Sequence, residues 1–116
     1  MRYALLSYAD EAIEASMSES EAKKLIRDFD AYIAELRKEG VFVSGARLSP
    51  TSTSKTVRRL GSRASTVDGP FAESKEHFGG FFIIEARDQD HAMSIAERMP
   101  SAAYGCIEVR PIWLER

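Results

Sequence analysis

Cysteine is almost missing from this chain: Cys106 is the only one in 116 residues. One thiol excludes an internal disulfide and any metal centre built from several cysteines. Histidine is nearly as scarce, and His77 and His91 share no ligand-like spacing with each other or with a carboxylate, so no metal site is expected. An excess of positive charge is also lacking. Sixteen Lys and Arg against 18 Asp and Glu leave a formal net charge of −2, which argues against nucleic-acid binding driven by phosphate neutralisation. No apolar run approaches the length of a membrane span. The first ten residues, Met1 to Asp10, are apolar for too short a stretch to form a secretion signal, and no small-residue cleavage site follows. Together these gaps predict a cytoplasmic, unprocessed protein with no membrane or nucleic-acid partner and no motif for a cofactor.

What is present is ordinary in bulk and particular in pattern. A chain that is 44% hydrophobic and 29% charged has the composition of a soluble globular protein, and its length suits one domain, residues 1–116, around one core. The rest is organised around Asp68 to Glu85. That stretch opens on the turn Asp68-Gly69-Pro70-Phe71, crosses the charged segment Glu73 to His77, and ends in Phe81-Phe82-Ile83-Ile84, the most apolar run.

Taken in order, residues 2–8 read as a strand and residues 10–17 as a loop with at most a helical turn. Ser18-Glu19-Ser20-Glu21 is a capping box, in which Ser18 accepts from the third helical N–H and Glu21 reaches back. In the helix that follows, Ala22, Leu25, Ile26, Phe29, Ile33 and Leu36 form one apolar stripe. Arg37 and Lys38 suit the negative end of its dipole, and Gly40 supplies the left-handed stop. Residues 41–48 are a second strand, closed by a polar loop at 49–54. Residues 56–60 and 64–67 suggest a hairpin that turns at Gly61. Gly79-Gly80 leads into a strand at 81–86. Asp88 caps a second helix, with stripe Ala92, Ile95, Ala96 and Met99, closed by Pro100. Residues 106–112 are the last strand.

Two β-α-β halves joined by a hairpin suggest an α+β, ferredoxin-like sandwich, with both helices on one face of an antiparallel sheet. Phe81 and Ile83 then point one way in the central strand and Phe82 and Ile84 the other. Both faces of that strand are apolar, yet two helices cover only one face. A second copy is the natural cover, so the sequence predicts a two-fold homodimer with its sheets facing each other around a cleft.

The candidate site residues follow from that picture. Asp68 is either the hydrogen-bond acceptor of a Gly-Pro turn or, if it projects into the cleft, a proton-transfer carboxylate. Glu73, Lys75, Glu76 and His77 supply the ingredients of acid–base chemistry, histidine being the side chain that titrates nearest neutrality, or else form a solvated helical turn. Lys55, Arg58, Arg59 and Arg63 make the hairpin basic, as an exposed ribbon or as an anion-binding flap. Glu108 and Arg110 share one face of the last strand, as a ligand site or as an interfacial ion pair. Cys106 reads as a small buried residue and His91 as a surface one.

At Asp68-Gly69-Pro70-Phe71-Ala72-Glu73-Ser74-Lys75-Glu76, followed by Gly79-Gly80-Phe81, the chain resembles the YCII-related family. It is closest to the subgroup marked by Asp-Gly-Pro-Phe, with Ser74 where threonine is usual. Tyr3-Ala4-Leu5-Leu6, Glu35 to Gly40, and Gly105 through Ile112 are similar to that subgroup too. The resemblance implies a dimeric α/β-barrel of ferredoxin-like subunits. It also implies kinship with small isomerases, monooxygenases and dechlorinating enzymes, and an association of the subgroup with extracytoplasmic-function sigma factors. Some members are suggested to use a His–Asp pair with the histidine on the first helix; here the helix from 19 to 39 has none, and Phe29 stands near that place. Two functions stay open. One is a proton-transfer enzyme of isomerase or lyase type, using Asp68, with Lys75 or Arg110 holding an anionic group near Glu108. The other is a module that binds a small molecule, or serves an accessory role, without converting anything.

Overall fold

The computed structural model describes residues 1–116. Strand β1 (Arg2–Ala9) leads through a short helix α1 (Glu11–Ala15) into the long helix α2 (Glu19–Lys38) and strand β2 (Phe42–Arg47). Strands β3 (Lys55–Leu60) and β4 (Arg63–Asp68) form the hairpin. Then come β5 (His77–Glu85), α3 (Gln89–Glu97) and β6 (Cys106–Pro111). The main sheet runs β2-β5-β1-β6 with every neighbouring pair antiparallel, an α+β arrangement compatible with a ferredoxin-like sandwich. No helix is long and apolar enough to cross a membrane.

Local chemistry explains the elements. Ser18 Oγ accepts from Glu21 N at 3.2 Å while Glu21 Oε1 accepts from Ser18 N at 2.9 Å, the reciprocal box read from the sequence. Asp88 Oδ1 caps α3 by accepting from His91 N at 2.8 Å. The apolar stripe of α2 divides in two. Leu25, Tyr32 and Leu36 are buried, with the Tyr32 hydroxyl donating to Ile95 O of α3 at 2.8 Å, whereas Ile26, Phe29 and Ile33 lie about a quarter-turn round the helix. The core joins both helices to one sheet face through Tyr3, Leu5, Phe82, Ile84, Ala92 and Ile95.

Three local expectations are corrected. Residues 11–15 are a true helix, because Asp10 caps it by accepting from Ala12 N at 2.9 Å. Strand β5 begins at His77, so Gly79 and Gly80 lie inside it and the charged residues before it form bends instead of a helical turn. Cys106 is exposed, since it starts edge strand β6 on the sheet face turned from the helices.

That face carries Ala4, Leu6, Tyr8, Phe81 and Ile83, with Tyr8 and Phe78 rings 5.6 Å apart. The β3–β4 hairpin forms a separate two-stranded sheet, and all six residues of β4 are exposed. A radius of gyration of 16.1 Å exceeds the value of about 13 Å for a compact domain of this size. The hairpin is therefore an arm, and Val57, Leu60, Val67 and Phe71 on and beside it face outward.

Candidate functional site

Along the helix-facing positions of the sheet, large side chains give way to small ones in one direction. In β1 the inward series is Tyr3, Leu5, Ser7 and Ala9; in β5 it is Ile84, Phe82 and Gly80; in β2, Gly45 sits opposite Phe82. Gly80 is buried and has no room for a side chain, because a Cβ there would lie 2.7 Å from Ala46 O. The large end of the series packs against α2 and α3 as the core. At the small end the layers part, leaving a cavity of about 630 Å³ roofed by α1 and bounded by α2, β2, β5 and the 48–51 turn. That volume is in the range of small-molecule sites.

The polar groups at its walls come from different parts of the chain. A register shift between Ser7 and Tyr8 leaves Gly79 unpaired in β5, so Phe78 pairs with Tyr8 on the far face and His77 pairs with Ala9 on the cavity side. Strict alternation from Phe82 would have turned His77 outward; the bulge re-aims it. Its side chain is 18% exposed, and Nδ1 lies 3.4 Å from Glu11 Oε1. Nδ1 is buried and makes no hydrogen bond.

Glu11 itself is anchored. The Thr51 hydroxyl donates to Oε1, and Thr51 N donates to the same carboxylate at 3.1 Å. The Thr51 hydroxyl bond is the largest influence holding this carboxyl below the usual glutamate range, burial opposing it and the neighbouring His77 adding a smaller downward pull. Glu11 is therefore a fixed anion facing an imidazole.

A second group sits at the rim. Glu14 Oε2 lies 2.6 Å from Arg47 Nη2, and Glu14 Oε1 accepts from the Tyr104 hydroxyl at 2.7 Å. Burial, with this bond to an anion, pushes the Tyr104 phenol well above its ordinary range. Ser7 and Ser101 hydroxyls share a 2.9 Å hydrogen bond at the cavity wall, Ser101 being 4% exposed. Ile26, Phe29, Ile33, Phe42, Leu48 and Met99 make the remaining walls apolar. A second, shallower depression of about 340 Å³ lies between α2 and Arg98. Its guanidinium is already taken by Glu35 at 3.2 Å and Glu39 at 3.1 Å, so it serves to tie the helices together.

Of the charged and titratable site candidates read from the sequence, the structure brings only His77 to this cavity. Asp68 ends β4 with its side chain 88% exposed and paired to Lys55 Nζ at 2.9 Å. Its turn is built as the motif suggests, for Gly69 has φ 104°, a conformation that a side chain resists, and its N–H donates to Ser54 O at 2.8 Å. Lys75 is exposed in the bends before β5. Glu108 and Arg110 share the sheet face away from the helices and pair with each other, Nε to Oε2 at 2.9 Å. Arg58 stacks over the Phe71 ring at 5.0 Å, and His91 Nδ1 accepts from Arg87 N at 3.1 Å. Glu11, Glu14, Arg47, Thr51, Tyr104 and the two serines were not legible as site residues. The one sequence signal that could have found the hollow beside them is the change from large to small residues along β1 and β5, from Tyr3 and Leu5 to Ser7 and Ala9 and from Phe82 to Gly80.

Fold and cavity together define a small α+β protein with a ligand-sized hollow between its sheet and its long helix. The chain belongs to the YCII-related domain family, whose profile matches residues 1–116. It is 35% identical over 116 residues to an uncharacterized protein of Rhizobium meliloti (strain 1021), covering 98% of this chain and 94% of that one. Among solved structures it is similar to the 5-chloro-2-hydroxyhydroquinone dehydrochlorinase of Burkholderia phenoliruptrix AC1100, in complex with 2,5-dihydroxybenzoquinone. That match has 17% identity and a TM-score of 0.48, and covers 97% of this chain and 93% of that one.

Proposed function

We propose that this protein, a member of the Asp-Gly-Pro-Phe subgroup by its 68–76 motif, binds a small organic molecule in the helix-side cavity. There Glu11 and His77 move a proton on it, as in an isomerase or lyase. The observation that carries this reading is the buried, unpartnered Nδ1 of His77 facing a carboxylate that Thr51 holds ionised. Leaving a buried nitrogen unsatisfied is costly, and the cost disappears if Nδ1 carries the proton and the pair tightens. Nε2 is then the basic nitrogen. It takes a proton from the bound molecule, and Glu11 stabilises the imidazolium that forms. Nε2 returns the proton to another atom of the same molecule in an isomerisation, or to the departing group, which leaves with its bonding electron pair, in an elimination. The Ser7 and Ser101 hydroxyls can hold an oxygen on which charge develops. Proton transfer thus moves from Asp68, which in this reading steadies the arm through Lys55, to Glu11 and His77.

The same reading includes a homodimer. Leu6, Tyr8, Phe81 and Ile83 form an apolar sheet face that neither long helix covers, and an isolated two-stranded arm is at best marginally stable in water. Two copies meeting through these faces cover both, and Glu108 and Arg110 then lie at the interface instead of holding a ligand.

A fragment screen read by methyl and histidine-ring NMR shifts tests the cavity. Binders are expected to move Ile33, Leu48 and Met99 methyls together with the His77 ring. Shifts confined to the arm or to the outer side of α2, with His77 still, would overturn the proposal.

A further inference from the structure

The cavity is unbalanced in charge, and that imbalance selects among the molecules that fit it. Asp10, Glu11, Glu14 and Asp30 line it, against one arginine, Arg47, and no lysine. Arg47 is not free to hold an anion, because Glu14 already neutralises it at 2.6 Å. Glu11 remains a negative charge on the α1 side, fixed by Thr51, and Asp30 adds another at the exposed rim on α2. In a cleft with low-dielectric walls such charges focus their field inward, favouring one sign of ligand. The walls offer more than an apolar surface: Phe29 is a half-buried aromatic that lines the cavity, and aromatic rings attract organic cations.

We infer that the cavity takes an organic amine in its charged form, an ammonium carried on an apolar or aromatic body, in preference to a carboxylate or other anion. The inference rests on the cavity being the binding site proposed above. An ammonium has donors and no acceptor. The cavity presents the complementary set: the Glu11 carboxylate and the Ser7 and Ser101 hydroxyl oxygens. An anion at the same place would face Glu11 with no uncommitted cation beside it.

Three probes of one shape and different charge decide the matter: naphthylmethylamine, naphthylmethanol and naphthoate, titrated into the full chain by calorimetry and NMR. The amine should bind about tenfold more tightly than the alcohol, and the naphthoate more weakly than both. Glu11→Gln and Asp30→Asn should each weaken the amine more than the alcohol, and added salt should act in the same direction. Folding of each variant is checked by its unfolding midpoint. Naphthoate binding as tightly as the amine would overturn the charge inference and leave the cavity standing. Failure of all three to shift His77 or Met99 would overturn the cavity reading and this inference with it.

Discussion

Replacing Phe82 with alanine is expected to destabilise the fold by about 3–5 kcal/mol, the usual cost of removing a buried aromatic ring. The Phe82 ring is 8% exposed and lies between Leu5 of β1 and Gly45 of β2. It meets Tyr32 edge-on at 5.6 Å, Phe42 edge-on at 6.1 Å, and Phe29 in a stack. Gly45 is shaped to it, because a Cβ there would come within 2.5 Å of the ring. The ring is also the partition between core and cavity, so its loss merges the two. Domains of this kind have only about 5–15 kcal/mol in total, which leaves the variant marginal. Chemical denaturation measures the change directly. Phe82→Leu, which keeps most of the volume, should lose clearly less. A loss below about 1 kcal/mol for the alanine variant would mean that the ring does not hold these layers together.

The second large effect concerns assembly. Ile83→Lys places a charge at the middle of the uncovered sheet face, directly opposite Ala4 in β1 and Ser44 in β2. If two copies meet there, two-fold symmetry brings both lysines into one apolar interface, where unpaired charge is strongly disfavoured. Sedimentation at micromolar concentration should fall from twice the chain mass of 13.0 kDa to once that mass, with the far-ultraviolet dichroism retained. Because Ile83 does not line the cavity, the His77 ring should be undisturbed in the monomer. Wild-type protein already sedimenting at 13.0 kDa, or a lysine variant that stays paired, would contradict the proposed interface.

Regular structure was the legible part of this chain. The capping box at Ser18, the stop at Gly40 and the cap at Asp88 are local devices whose chemistry is complete within a few residues, and all three stand where the pattern puts them. The two-sided apolar character of Phe81 to Ile84 likewise predicts which side chains share a face, because alternation in a strand is geometric. The cavity was harder to see, for two physical reasons. Glu11, Thr51 and His77 are separated by 40 and 26 residues and meet only through tertiary structure, so no spacing rule relates them. His77 is further disguised by the bulge at Gly79, which reverses the alternation that a sequence reading extends from Phe82. Asp68 is the conspicuous carboxylate in the sequence because of its Gly-Pro turn, and in this chain it faces Lys55 and solvent.

The pairing of Glu11 with His77 is the point on which the functional reading turns, and the position of one hydrogen tests it. Long-range nitrogen–proton NMR distinguishes which ring nitrogen of a neutral histidine carries its proton. The expected result is the Nδ1–H form for His77, directed at Glu11, with Nε2 bare. Finding the proton on Nε2, with Nδ1 bare beside the carboxylate, would contradict it.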